Sequence, residues 1–166
     1  MSSNPQYLYW DSCVFLSYFD QQPGRWPVLD ALLAEVRHSQ GQRKIVTSTF
    51  TQIEVAYLAS EAATQTLDAD FEHRLEVFWA DRTLVELIEV HAELTRRARQ
   101  LMRQGLQAGW RRLKPPDALH LASAQWLTSW RTVQAFHTYN VSDYRNFAAS
   151  MPFTICEPTI SQPSLF

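Results

Sequence analysis

A chain of 166 residues that is 46% hydrophobic, with nine Phe, six Trp and six Tyr, can bury a core without disulfide or metal staples, and its length favours one domain. A net charge of −2 excludes both a strongly charged disordered chain and recognition of polyanions by bulk charge alone. Two distant cysteines, Cys13 and Cys156, read as reduced thiols rather than a disulfide framework; Met1–Gln6 carries no basic secretory start, and no uncharged run reaches the ~18 residues of a membrane span, so we expect a cytoplasmic protein.

In chain order, Tyr7–Trp10 reads as a short aromatic strand ending at Asp11, with a helix over Ser12–Phe19. Pro23 and Gly24 mark a loop over Gln21–Trp26. Pro27 suits a first helical turn, and Val28, Leu32, Leu33 and Val36 recur at helical spacing up to Gln40. Lys44–Thr47 is a strand. Thr51-Gln52-Ile53-Glu54 has the form of a capping box that opens a helix through Ala56 and Tyr57. Leu67, Phe71, Leu75 and Phe78 predict an amphipathic helix, Leu84–Val90 a strand, and His91–Gln104 a helix with Leu94, Ala98, Leu101 and Met102 on its apolar side.

Gly105 and Gly109 loosen the connection to Pro115-Pro116, after which Pro116 or Asp117 starts a helix carrying Leu119, Ala122, Ala124 and Leu127. Val133–Thr138 is a strand, Asn140–Arg145 a polar turn and Phe153–Cys156 a last strand. We expect one domain over residues 1–157 and a tail over 158–166. Strands alternating with helices predict an α/β fold, a three-layer α/β/α arrangement around a central parallel sheet.

In such folds, polar chemistry gathers in the crevice beyond the carboxyl ends of the strands. Asp11 ends the first strand, Glu54 follows the second, and Asn140 and Asp143 follow the Val133–Thr138 strand. Asp117 opens a helix, with its side chain available at the same end of the sheet. Each acid has a plainer explanation: a helix cap for Asp11, the capping box for Glu54, the positive helix end for Asp117, an ordinary turn for Asp143. Those explanations do not predict that all four share one edge.

Two carboxylates ~4 Å apart repel by about 4 kcal/mol at an effective dielectric of 20. A divalent cation removes that conflict, and oxygen-only ligands favour Mg²⁺ or Mn²⁺; no Cys or His pair has zinc spacing. Asp117-x-x-His120 reads either as two ligands on one helix face or as an acid followed by a structural histidine.

Seven of the fifteen basic residues, Arg96, Arg97, Arg99, Arg103, Arg111, Arg112 and Lys114, fall within nineteen positions. They form either a solvated helix face or a stripe that holds a polyanion near Asp117. Trp110, inside the stripe, can stack on a base or pack in the core.

Four segments, YLYWDSCVFLSYF, TSTFTQIEVAYL, LKPPDALHLASA and HTYNVSDYRNF, resemble the signature blocks of the PIN-domain ribonucleases, the family of the VapC toxins. The third, an Asp opening D-A-L-H-L-A after a proline-containing turn, is the most distinctive. The resemblance spans roughly Tyr7 to Glu157. It implies that Asp11, Glu54 and Asp117 hold Mg²⁺ or Mn²⁺ and act with Asp143 in catalysis. The last block departs from the family pattern: Asn140 stands two residues after Thr138, where many members have an acid. Asn140 can still bind through its carbonyl oxygen, but it lowers the charge of the site. Ser12 and Thr138 are expected to support the ligands from behind.

The expected reaction is metal-dependent hydrolysis of an RNA phosphodiester by water, with no nucleophilic side chain. Arg96, Arg99, Arg103, Arg111, Arg112 and Lys114 would bind the RNA backbone without sequence choice. The resemblance also implies a cognate antitoxin protein, and some of the many aromatics could form a docking surface or a homodimer interface. The rival reading is a weakened PIN-fold module that binds RNA or protein without cutting. A receiver domain lacks its paired acids here, since Ser12 follows Asp11, and a haloacid-dehalogenase-like phosphatase lacks its Asp-x-Asp, since position 13 is Cys.

Overall fold

The computed structural model describes residues 4–160, so the expected tail lies outside the described residues from position 161 onward. In chain order the elements are β1 (Gln6–Trp10), α1 (Ser12–Phe19), α2 (Trp26–His38), β2 (Arg43–Ser48), α3 (Thr51–Glu54), α4 (Ala59–Thr64), α5 (Ala69–Ala80), β3 (Val85–Ile88), α6 (Ala92–Gln107), α7 (Pro115–Leu127), β4 (Thr132–His137), α8 (Val141–Tyr144) and β5 (Thr154–Cys156), with a 3-10 turn at Ala148–Ser150. The five strands form one sheet in the order β3-β2-β1-β4-β5, every pairing parallel. This is the predicted three-layer α/β/α arrangement.

The central strand explains the layering. Successive side chains of a strand point to opposite faces. Leu8 and Trp10 accordingly enter a core with Val14 and Phe15 of α1, Leu29, Leu32 and Leu33 of α2, and Phe71, Phe78 and Trp79 of α5. Tyr7 and Tyr9 enter the opposite core with Leu94, Ala98 and Leu101 of α6 and Ala118, Leu121 and Ala122 of α7. On β4 the register shifts between Tyr7↔Val133 and Leu8↔Ala135, leaving Gln134 as an extra residue. The shift keeps Val133 and Phe136 on the face of α6 and α7, where Phe136 stacks on Tyr9 at 5.1 Å.

Four expectations change. The capping box at Thr51–Glu54 does not form, because the helical turn starts one residue earlier than a capping Thr needs. Phe50 occupies the cap position, with its N–H bonded to Ser48 Oγ, while Thr51 Oγ1 lies 2.7 Å from Thr47 Oγ1. The reciprocal carboxylate instead belongs to Glu61, which accepts the Leu58 and Asp68 N–H groups at 2.8 and 2.6 Å and so anchors α4, an element without apolar periodicity. Leu67 is exposed and lies before α5, whose cap is Asp68, accepting from Asp70 and Phe71 N–H.

Gly105 is not a connection but a buried residue of α6. A Cβ built there would sit 3.0 Å from Phe147 Cζ, so only glycine lets this helix meet that ring without displacement. Gly105→Val is therefore expected to cost about 1–3 kcal/mol through overpacking. Urea unfolding checks this, and an unchanged midpoint would remove the packing explanation.

Candidate active site

The parallel sheet brings the carboxyl ends of β1, β2 and β4 to one edge, and the acids sit there. Asp11 follows β1 directly, at the head of α1. Its carboxylate does not cap that helix. Instead Oδ2 accepts the Thr138 hydroxyl at 2.9 Å and the Tyr144 hydroxyl at 3.2 Å, and Oδ1 accepts Ser12 Oγ at 3.2 Å. A carboxylate that is 2% exposed thus receives hydroxyl donors from α1, the β4 end and α8. Thr138 is itself fixed, accepting the Asn140 N–H at 3.0 Å.

Asp117 sits in the first turn of α7, which opens with Pro115 and Pro116, residues with no N–H to leave unpaired. Burial pushes its carboxyl above the usual carboxylate range, and the charges of Asp11 and Asp143 push it further, against a smaller opposing pull from His120 and Lys114. Asp11 and Asp143, far apart from it in sequence, therefore both act on Asp117 through their charge. Asp143, on α8, pairs with Arg111 at 2.8 Å, Arg111 remaining largely exposed.

Glu54, at the end of α3, faces α7. Its Oε2 lies 2.6 Å from His120 Nε2, and the same nitrogen is 3.6 Å from Asp11 Oδ1. His120 thus stands between two of the predicted acids and hydrogen-bonds one of them. Burial alone pulls the His120 pKa down, but the Glu54 hydrogen bond and the charges of Asp11, Glu54 and Asp117 outweigh it, and the net shift is upward. Asn140 is exposed at the head of α8.

Among the described residues no three His, Cys, Asp or Glu side chains are arranged to hold a metal ion. The chemistry of the donors nonetheless fits a hard cation: Asp11, Glu54, Asp117 and Asp143 offer oxygen alone, and the Asp117 carboxyl, raised by burial and then by the charges of Asp11 and Asp143, is one whose ionised form a divalent ion would stabilise. Cys13 does not fit a nucleophile. Burial and the Asp11 charge push its thiol up to about 12, so it stays protonated, accepting the Tyr139 N–H at 3.3 Å.

The basic stretch divides. Arg96, Arg99 and Arg103 recur along one exposed face of α6, whereas Arg97 is tied to Glu93 at 2.7 Å. Arg99, Arg103 and Arg112 line one concavity with Met102, Leu106 and Leu113, while Arg96 and Arg97 line another with Gln100 and Gln125. Lys114 precedes α7 and acts on Asp117 through its charge. Trp110 packs edge-on against Phe147 at 5.0 Å. Two site residues escaped the sequence reading: Tyr144, next to Asp143, and Tyr9, whose hydroxyl lies 2.9 Å from His120 Nδ1. The sequence reading puts Tyr144 in a polar turn and Tyr9 only in a strand; both rings lie in the core.

The PIN domain family profile matches residues 8–127. The chain belongs to the PIN domain family. PIN domains are generally nucleases, and those nucleases generally use divalent metal ions. The fold of this PIN domain is similar to solved structures of VapBC2 from Rickettsia felis bound to a promoter DNA fragment (16% identity, TM-score 0.61, covering 91% of this chain and 97% of that one) and VapBC-1 from nontypeable Haemophilus influenzae (14%, 0.60, 90% and 97%). It is also similar to FitAcB from Neisseria gonorrhoeae (14%, 0.60, 91% and 97%). No curated protein sequence matches significantly. Among the described residues of this PIN domain no helix is long and apolar enough to cross a membrane.

Proposed function

We propose that this PIN domain is an Mg²⁺- or Mn²⁺-dependent endoribonuclease and the toxin of a toxin–antitoxin pair. The observation that carries the reading is the placement of Asp11, Asp117 and Asp143 at the one sheet edge where this fold places its chemistry, where burial and then the neighbouring charges push the Asp117 carboxyl up. Asp11, Asp117 and Glu54, with the Asn140 carbonyl, would hold the cation, and Asp143 would complete the acidic wall. When bound, the cation supplies Lewis acidity toward a phosphate and compensates the charge of the acids.

The protein's own groups do the rest. Thr138, Ser12 and Tyr144 orient Asp11 through their hydroxyls. Arg111 bridges the acidic wall and the solvent, where it can receive a backbone phosphate. Arg96, Arg99, Arg103, Arg112 and Lys114 attract the rest of the strand, and an unstacked RNA fits an open edge better than a duplex. The toxin assignment draws on the structural neighbours, which are VapBC and FitAB complexes, and an antitoxin or a second copy has exposed Ile53, Tyr57, Leu106 and Trp130 to cover.

Purified protein incubated with unstructured RNA is expected to cut it internally with Mn²⁺ and not with EDTA. Persistence of cleavage in both Asp11→Asn and Asp117→Asn would place the site elsewhere. The Arg99→Ala, Arg103→Ala double variant is expected to bind RNA more weakly, with the slope of log affinity against log salt reduced by roughly 0.7 per lost phosphate contact. Fluorescence anisotropy at several salt concentrations reads this, and an unchanged slope moves the RNA off α6.

A second reading, a weakened module that binds without cutting, is favoured by one residue. Exposed Asn140 stands where many family members carry an acid. Wild-type protein that neither cleaves RNA nor binds Mn²⁺ selects it.

A further inference from the structure

His120 lies on α7 one turn beyond Asp117, fully buried, and both of its ring nitrogens are engaged: Nδ1 2.9 Å from the Tyr9 hydroxyl, Nε2 2.6 Å from Glu54 Oε2. An ionised carboxylate accepts hydrogen bonds and donates none, so Nε2 carries the hydrogen and donates it to Glu54. In the neutral ring Nδ1 is then the acceptor, and the Tyr9 O–H donates to it. The Tyr9 ring is clamped by stacking on Phe136 at 5.1 Å and by edge contact with His120 at 5.9 Å. With the ring neutral, a directional chain runs from Tyr9 on β1 through His120 on α7 to Glu54 on α3.

Glu54 needs such a tether. It ends a helix of four residues, and its side chain is 21% exposed, so packing alone leaves it rotamer freedom. The imidazole N–H is also 3.6 Å from Asp11 Oδ1, which puts the tether beside the acidic mouth. We propose that His120, itself oriented by Tyr9, is a positioning residue that fixes the direction in which Glu54 faces the Asp11–Asp117 mouth.

The tether rests on the nuclease reading only where it bears on the cation, and partners of this kind typically contribute 10- to 100-fold to metal affinity. Mn²⁺ alone, titrated calorimetrically into the full chain, should bind His120→Leu about 10- to 100-fold more weakly than wild type. His120→Gln, which can still offer an N–H near the Nε2 position, should recover most of that loss. Equal Mn²⁺ affinity in wild type and His120→Leu overturns the proposal, as does a His120→Gln variant no better than His120→Leu, since packing rather than the donated hydrogen bond would then matter. If His120→Leu does not fold by circular dichroism, Tyr9→Phe carries the comparison, with weaker Mn²⁺ binding expected and unchanged binding overturning the tether.

A second arm needs no metal. Long-range ¹⁵N–¹H spectra of the metal-free protein should place the His120 hydrogen on Nε2, with its resonance displaced in Glu54→Gln. A neutral ring protonated on Nδ1, or a resonance indifferent to Glu54→Gln, overturns the tether. Wild-type protein that binds no Mn²⁺ contradicts the nuclease reading instead, and the imidazole signal then decides the tether alone.

Discussion

Asp117→Asn is expected to abolish RNA cleavage and, in the metal-free protein at neutral pH, to raise the melting temperature. The two effects have one cause. Burial and the charges of Asp11 and Asp143 hold the Asp117 carboxyl above its ordinary range, so ionising it costs folding free energy. Asn keeps the shape, removes the charge and removes the ligand. Losing several kcal/mol of charge stabilisation at the transition state corresponds to a fall of at least about 10³-fold in rate, at 1.36 kcal/mol per tenfold.

The pH dependence follows by linkage. A carboxyl whose folded pKa is raised binds more protons folded than unfolded, so stability falls as pH rises from the ordinary carboxylate range through the folded value. Asp117→Asn lacks that loss. Its advantage in melting temperature should be small at low pH, grow across that window and then stay constant. Thermal unfolding in EDTA between acid and neutral pH measures it. A variant less stable than wild type at neutral pH would mean that Asp117 is not electrostatically strained.

Phe15→Ala should be the most destabilising of the substitutions considered, by about 3–5 kcal/mol. Phe15 is fully buried on α1 and joins that helix to α5: its ring centroid lies 5.2 Å from Trp10, 5.9 Å from Phe78 and 5.1 Å from Trp79, in edge-on and tilted arrangements. Truncation removes these aromatic contacts, each worth about 0.5–1.5 kcal/mol beyond area, and leaves a cavity that a sheet on one side and two helices on the other cannot close. For a chain of this size that is a fall of about 6–20 °C. Asp11 draws its hydroxyl partners from Ser12, Thr138 and Tyr144, not from this cluster, so cleavage measured well below the melting temperature should survive. Guanidinium unfolding tests the stability; a loss under about 1 kcal/mol would mean that the cluster repacks freely.

The alternation of strands and helices was legible because each strand is a short apolar or aromatic run bounded by a polar residue, as Tyr7–Trp10 is by Asp11. The sheet direction then followed from chain connectivity, and with it the gathering of Asp11, Glu54, Asp117 and Asp143 at one edge. What failed were local signals overruled by tertiary contacts. Thr51 and Glu54 have capping-box spacing, yet Glu54 is taken by His120, sixty-six positions away. Gly105 looks like a helix breaker until Phe147 is seen against it. The helix α4 has almost no apolar periodicity and hangs on the buried Glu61 carboxylate. The pairing of Arg111 with Asp143 depends on how α8 lies against the approach to α7, which no local pattern encodes.

Crystals of the protein equilibrated with Mn²⁺ and measured at the manganese absorption edge test most directly whether this acidic edge is built for a cation. One anomalous peak in contact with both the Asp11 and Asp117 carboxylates is the predicted result. Saturating Mn²⁺ with no peak between them would contradict it.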